Sequence, residues 1–347
     1  MSATTLAKKA KSSFPTHLRY QDELHDAFTH ANDVGMRSDI QKLTSYYNRH
    51  YRSPTGRASQ KWLQEQVEGL ASKLPAKTTV TEFEHAWPQN SILLHIQGTN
   101  TTLTKERGVT ILGAHQDSTN LFGWLPAPGA DDDGSGTVTL LETLRALGKA
   151  GWAPQSDVEF HWYSAEEGGL IGSQAVVQSY VEKEAHVQAM LQMDMTAFLK
   201  EGTEERIGVV TDFVSPALTR YVENLIESYI GLPIGESKMK YGASDHASWD
   251  RYGFPSAFVM EAYVCVILTS LDRLKTAIYV VFTYVNDFLT PDNARRVYSA
   301  RILLLTHASV CPTVHGVCRR IKWLGVDACH LKKKKKKKKK SHSPTLR

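Results

Sequence analysis

The chain has 347 residues, 41% apolar and 22% charged, long enough to bury a core as one large α/β domain or two small ones. Its formal charge of +5 comes from a run of nine lysines, Lys332 to Lys340; without that run the remainder carries −4, with no basic stripe to suit a nucleic acid. The most apolar late segment, "YVCVILTSLDRLKTAIYVVFTYV", is broken by Asp272, Arg273 and Lys275, so no membrane span is expected.

The N-terminal stretch "MSATTLAKKAKSSFPTHL" is positively charged but lacks the apolar core of a secretory signal. Two helical patterns follow, around residues 36–50 and 57–74, with "SPTG" read as a turn between them. Strand-like runs come next at "TTVTEFEHAW", "SILLHIQG" and "GVTILGAH". From there strands and helices alternate. "GSGTVTLLETLRALGKAG" reads as a helix with Val138, Leu141, Leu144 and Leu147 on one face. "DVEFHWYSAEE", "VQAMLQMDM", "RIGVVTD" and "PSAFVMEA" read as strands, while "SQAVVQSYVEKE" and "SPALTRYVENLIESYIG" read as helices. This alternation predicts a three-layer α/β domain, with helices on both faces of a mixed, mostly parallel sheet.

The four cysteines all lie late, at Cys265, Cys311, Cys318 and Cys329, in a spacing that matches no standard zinc knuckle. After Ala262 the strand–helix alternation fades and the chain ends in polylysine. A run of lysines is normally a solvated tail, but it is also what a translated poly-A tract encodes. The expectation is that the sequence after Ala262 derives in part from translated non-coding or frame-shifted message.

Four acidic or histidine clusters fall at the carboxyl ends of expected strands, where open α/β sheets place their ligand crevices. His115 and Asp117 follow "VTIL"; Asp131, Asp132 and Asp133 precede a helix; Glu166 and Glu167 end a strand; Asp194 sits between methionines. Taken singly, an Asp triplet beside glycines reads as a helix N-cap and a Glu pair as surface. Asp194 is different, because a carboxylate in an apolar strand must find a partner or lose its charge. Together the clusters predict a metal site. Imidazole and carboxylate donors without thiolate suit hydrolytic zinc, and several carboxylates around few histidines suit a pair of ions. A carboxylate beside a ligand, as in Glu166-Glu167, can serve as general base, and Asp117 is placed to fix the tautomer of His115.

The motifs "GAHQDS", "PGADDDGSG", "YSAEEGGLIGSQ", "LQMDMT" and "SDHASWDRYGFPSAFVMEA" resemble, in order and spacing, the secreted bacterial and fungal leucine aminopeptidases, which are co-catalytic di-zinc exopeptidases. The likeness runs over about residues 14–262, leaving 1–13 as an unstructured leader remnant and 263–347 as a divergent tail. The resemblance implies the three-layer zinc exopeptidase fold and a monomer that acts on peptide substrates outside the cell, the missing signal then pointing to a truncated start. It implies that His115 and Asp194 hold one Zn2+, that Glu167 holds a second, and that Asp132 bridges them. Glu166 would be the general base, Asp117 the group orienting His115, and Met195, Tyr241 and Met260 the lining of an apolar pocket. A cis peptide between Asp132 and Asp133 is also implied, with His246 as a structural residue.

Two departures stand out. Met239 and Ala243 occupy the positions where the family often has a disulfide, so that staple is absent. The family's last ligand, a histidine soon after the strand matching "FVMEA", has no counterpart, since no histidine occurs between Ala262 and His307. One strong and one weak zinc site are therefore expected, with reduced activity. A carboxypeptidase, an N-acyl amino-acid deacylase and a non-catalytic family member are the alternatives.

Overall fold

A computed structural model describes residues 14–15, 27–198 and 202–261. The expectations for residues 1–13 and for the tail after Ala262 lie outside these residues. After a helical turn at 27–30 come two helices, α1 (Asp33–Thr44) and α2 (Pro54–Ala71). Asn32 caps α1 by accepting from the amides of Val34 and Gly35, and Ser53 caps α2 by accepting from Gly56 N. "SPTG" is therefore a helix start. Serine at the N-cap with proline at the first helical position needs no separate turn.

Strands β1 (Thr78–Phe83) and β2 (Ser91–Ile96) precede a short polar helix, α3 (Thr101–Arg107). The alternating part follows as β3 (Val109–His115), α4 (Gly134–Lys149), β4 (Val158–Tyr163), α5 (Ile171–Glu182) and β5 (Val187–Met193). Then come β6 (Ile207–Val210), α6 (Pro216–Leu225), β7 (Ile234–Ser237), α7 (His246–Arg251) and β8 (Ser256–Glu261). The strands form one sheet in the order β1-β2-β4-β3-β5-β8-β6-β7. β4, β3, β5 and β8 run parallel, whereas β2 is antiparallel to β4 and β6 antiparallel to β8. This is the mixed α/β sheet the alternation predicts. Beyond Leu225 the chain widens into a five-residue π-helical turn, Ile226–Ile230, which ends at Gly231 in the left-handed region with φ 70°.

Strand alternation divides the core in two. Ile92, Leu94, Leu112, Phe160, Trp162 and Leu191 point to the side covered by α1, α2, α4 and α6. Ile111, Tyr163 and Met190 point to the side covered by α5 and α7. The cross-strand pairs Ile92–Trp162, Leu94–Phe160 and Ile96–Val158 show the register that keeps apolar side chains on one face. β3, in the middle, is buried along its whole length. Its carboxyl end and those of β4 and β5 open on the same edge of the sheet, because the three strands are parallel.

Candidate metal centre

His115 is the last residue of β3, and its fully buried ring is the centre of the cluster. Its Nδ1 lies 3.2 Å from the backbone oxygen of Asp117 and 3.4 Å from the Asp117 carboxylate. Both neighbours accept only, so Nδ1 carries a proton and the Nε2 lone pair is the one a cation would take. That lone pair faces carboxylates: Asp132 Oδ1 at 3.1 Å, Asp194 Oδ2 at 3.6 Å and Glu166 Oε2 at 3.9 Å. One donor atom each from His115, Glu166 and Asp194 fall within 4.8 Å of one another. Nε2 of His115 and Oδ1 of Asp194 are buried with no hydrogen-bond partner. A buried imidazole nitrogen and a buried carboxylate oxygen left unbonded in this way are costly unless a cation satisfies them.

Each ligand candidate is held from behind. Asp117 accepts from the backbone amides of Glu166 and Glu167 at 3.1 and 3.2 Å, so one carboxylate orients His115 and fixes the turn carrying both glutamates. Thr119 N donates to Glu167 Oε1 at 3.2 Å. Ser244 Oγ donates to Asp194 Oδ2 at 2.6 Å, and Gln192 Nε2 donates in turn to Ser244 Oγ and Asp245 Oδ2.

The three aspartates before α4 have separate tasks. Asp132 faces His115. Asp133 is buried and accepts from His115 N at 3.0 Å, Gly136 N at 2.8 Å and Met195 N at 3.3 Å, tying the ends of β3 and β5 to the start of α4. Asp131 accepts from Ala197 N at 3.0 Å. The peptide between Asp132 and Asp133 is cis, as the resemblance implies. Gly136 is compelled by crowding, since a Cβ there would stand 2.3 Å from Met193 O and 2.4 Å from the Asp133 carboxylate.

The electrostatics follow from packing six carboxylates around one imidazole. Burial, then the charge of Asp194, pushes Asp133 well above the usual carboxylate range. Burial does the same to Glu166 and raises Glu167 to about 7. Burial alone would lower His115, but Asp194 and Glu166 outweigh it and hold it well above the ordinary value. Such a cluster calls for positive charge.

Sequence reasoning identified His115, Asp117, Asp132, Glu166, Glu167 and Asp194, and the fold brings all six to one edge of the sheet. It placed Asp133 in the acidic triplet without giving it a role, and it passed over Ser244, Gln192 and Arg49. Arg49 is wholly buried and donates through its guanidinium to the carbonyls of Gln116, Pro128 and Gly129. Burial lowers it to about 10, against the pull of Asp133 and Asp117. Nothing in "YNRHY" marks it as part of this site. The expected pocket residues are less uniform. Met195 is half-buried with φ 50°, Met260 is buried against Val210, Val214 and Phe258, and Tyr241 is exposed. His246 is buried and stacks on Phe258 at 4.7 Å between ring centroids.

Residues 91–285, more than half of the chain, match the model of peptidase family M28, a match that continues past Ala262. The chain is 48% identical over 270 residues to leucine aminopeptidase 1 of Trichoderma harzianum, covering 73% of this chain and 65% of that protein. It is 44% identical over 272 residues to leucine aminopeptidase 1 of Emericella nidulans, covering 74% of this chain and 68% of the relative. The match thus spans about two thirds of the length of these curated relatives. Among solved structures, the LapA aminopeptidase of Legionella pneumophila superposes with a TM-score of 0.71 at 27% identity, over 79% of this chain and 76% of that one. An aminopeptidase from Aneurinibacillus sp. strain AM-1 shares the fold at a TM-score of 0.62 and 15% identity, over 77% of this chain and 96% of that one. The chain belongs to peptidase family M28.

Proposed function

We propose that the protein is a zinc aminopeptidase that removes apolar, leucine-type residues from the N-termini of peptides. The observation that carries this reading is the buried His115 Nε2, unbonded and faced by Asp194 and Glu166 just past the ends of parallel strands and by Asp132 just before α4. The donor set fits the metal: one imidazole oriented by Asp117, carboxylates in excess, and buried atoms of His115 and Asp194 without a hydrogen-bond partner. In this reading His115, Asp132 and Asp194 would hold one zinc, and Asp132 and Glu167 would hold a second. Bound zinc supplies Lewis acidity and lowers the pKa of its water.

The protein's own groups do the rest. Glu166 takes the proton of the attacking water and passes it to the leaving amine, and its raised proton affinity suits that task. Asp117 keeps both glutamates in place through their amides. The restriction of cleavage to N-terminal residues is what the family resemblance implies. Met195, Tyr241 and Met260 line the pocket for the first side chain. The names of the curated relatives support the leucine-type substrate, and the family resemblance supports a monomer working outside the cell. Among the described residues no helix is long and apolar enough to cross a membrane.

No histidine occurs between Ala262 and His307, where the family resemblance places a ligand of the second zinc. The same observation favours a second reading, a family member that binds peptides without cleaving them. Zinc analysis of dialysed protein, with hydrolysis of leucine 4-nitroanilide, tests both. The expected result is one firmly held zinc per chain and slow hydrolysis that Glu166→Gln abolishes without loss of zinc. Two firmly held zincs would refute the unequal site. No turnover, even after insertion of a histidine segment behind Ala262, would establish the non-catalytic reading. Turnover of C-terminal or N-acyl substrates in place of leucine amides would reassign the reaction.

A further inference from the structure

An aromatic strip runs along the β3–β4 side of the cluster and ends on an exposed loop. It starts at Gly168, directly after Glu167, where a Cβ would stand 3.0 Å from the Tyr51 ring. Tyr51 lies 4.6 Å from the ring of His50, centroid to centroid. The His50 ring in turn packs under Gly123, whose Cβ would come within 2.9 Å of it. Gly123 is the midpoint of the loop 119–127. At its tip Leu121, Phe122 and Trp124 are 88%, 49% and 72% exposed, with the two rings stacked at 5.1 Å.

The loop is closed and docked. Ser118 Oγ donates to Ala127 O at 2.7 Å and Asn120 Nδ2 to Pro126 O at 2.9 Å. Asn48 Nδ2 reaches the carbonyls of Gly123 and Leu125 at 3.4 and 3.3 Å. At its root is the bond from Thr119 N to Glu167 Oε1, so the loop is continuous with the site. Three adjacent large apolar side chains presented to water on a braced loop are the mark of a binding surface.

Position says what it binds. In the order β4-β3-β5-β8 the strip lies beyond β3, while Met195 follows β5 and Met260 is on β8. A peptide whose first side chain enters the β5–β8 side must lead its remaining residues out over the β3–β4 side. We propose that Leu121, Phe122 and Trp124, backed by His50 and Tyr51, form the platform for apolar side chains downstream of the scissile bond. The protein then prefers peptides whose second and third residues are apolar. This inference rests on the aminopeptidase reading and adds a substrate class to it.

The test is isothermal titration of the full chain, supplied with zinc, with two uncleavable probes: Leu-ψ(CH2NH)-Phe-Leu-amide and Leu-ψ(CH2NH)-Gly-Gly-amide. Burial of one aromatic and one aliphatic side chain predicts that the first binds on the order of tenfold more tightly. The triple substitution Leu121→Ser, Phe122→Ser, Trp124→Ser brings the ratio to within about twofold, and Trp124→Ser alone lowers it about threefold, by loss of that apolar area. Val34→Ser, at an equally exposed apolar residue on α1, leaves the ratio as it was. Equal wild-type affinity for both probes, or a preference that survives the triple substitution, overturns the proposal. Leucine 4-nitroanilide hydrolysis by the same wild-type preparation separates the two ideas. Preference without turnover keeps the platform and counts against the peptidase, and turnover without preference does the reverse.

Discussion

On the face covered by α1, α2, α4 and α6, carbon meets carbon: Ile92, Leu94, Phe160 and Trp162 from the strands pack among Leu141, Leu144 and Leu147 of α4. On the face covered by α5 and α7, buried polar groups form a chain. Glu159 accepts from His161 Nε2 at 2.9 Å and from Tyr180 OH, which fixes the imidazole proton on Nε2. His161 Nδ1 lies 2.9 Å from Tyr163 OH, and Tyr163 accepts from Trp249 Nε1 at 3.0 Å. Apart from the Asp39–Arg145–Glu142 network between α1 and α4, whose two acids are buried, the first face needs only volume and pattern. The second needs each atom to find one particular partner, because an unpaired buried polar group costs more than a bond contributes.

The contrast is broken most severely by a cavity on the apolar face. Leu144→Ala is expected to lose about 2–5 kcal/mol in urea unfolding, since the packed helices around it cannot close the space. Next comes acid on the polar face. Burial lowers His246 to about 3, so in the folded protein its ring stays neutral where the unfolded chain takes up a proton. The stability this gives is complete above the unfolded value near 6.5 and falls by about 1.4 kcal/mol per pH unit as pH drops from there toward 3. Urea midpoints from pH 7 to 4.5 read it, and His246→Phe should flatten that component; an unchanged slope would contradict the assignment. Tyr163→Phe keeps the ring but strands Trp249 Nε1 and His161 Nδ1, and is expected to cost about 1–3 kcal/mol by thermal or urea melting. The smallest effect lies outside both faces. Arg37→Ala breaks only the exposed pair with Asp33 on α1 and should change stability by less than about 0.5 kcal/mol.

The same division explains what could be read in the sequence. The apolar face announces itself through repeats such as Val138, Leu141, Leu144 and Leu147, and so do the strands that reach the cluster. The ligand candidates were legible because charge at the end of an apolar strand is costly and therefore conspicuous. Their supports were not. Asp133 carries the same letter as its two neighbours, and only the fold shows that it receives three amides while Asp132 faces the imidazole. Ser244 and Gln192 are ordinary polar residues until folding brings them to Asp194. Helix α3 was missed because "TTLTKER" buries only Leu103, which leaves no periodic face to detect. Strand β7 is four residues long with a glycine inside, too short for alternation to show.

Arg49 has a practical consequence for anyone who would move this chemistry elsewhere. Its flat fork serves the carbonyls of Gln116, Pro128 and Gly129 at once, two of them on the loop that delivers the aspartate triplet. Lysine, a single point charge, cannot span that geometry. A transplant of the six acidic and imidazole side chains into a new scaffold, without this arginine and its three carbonyls, would carry over the donors and leave behind the brace that sets their spacing.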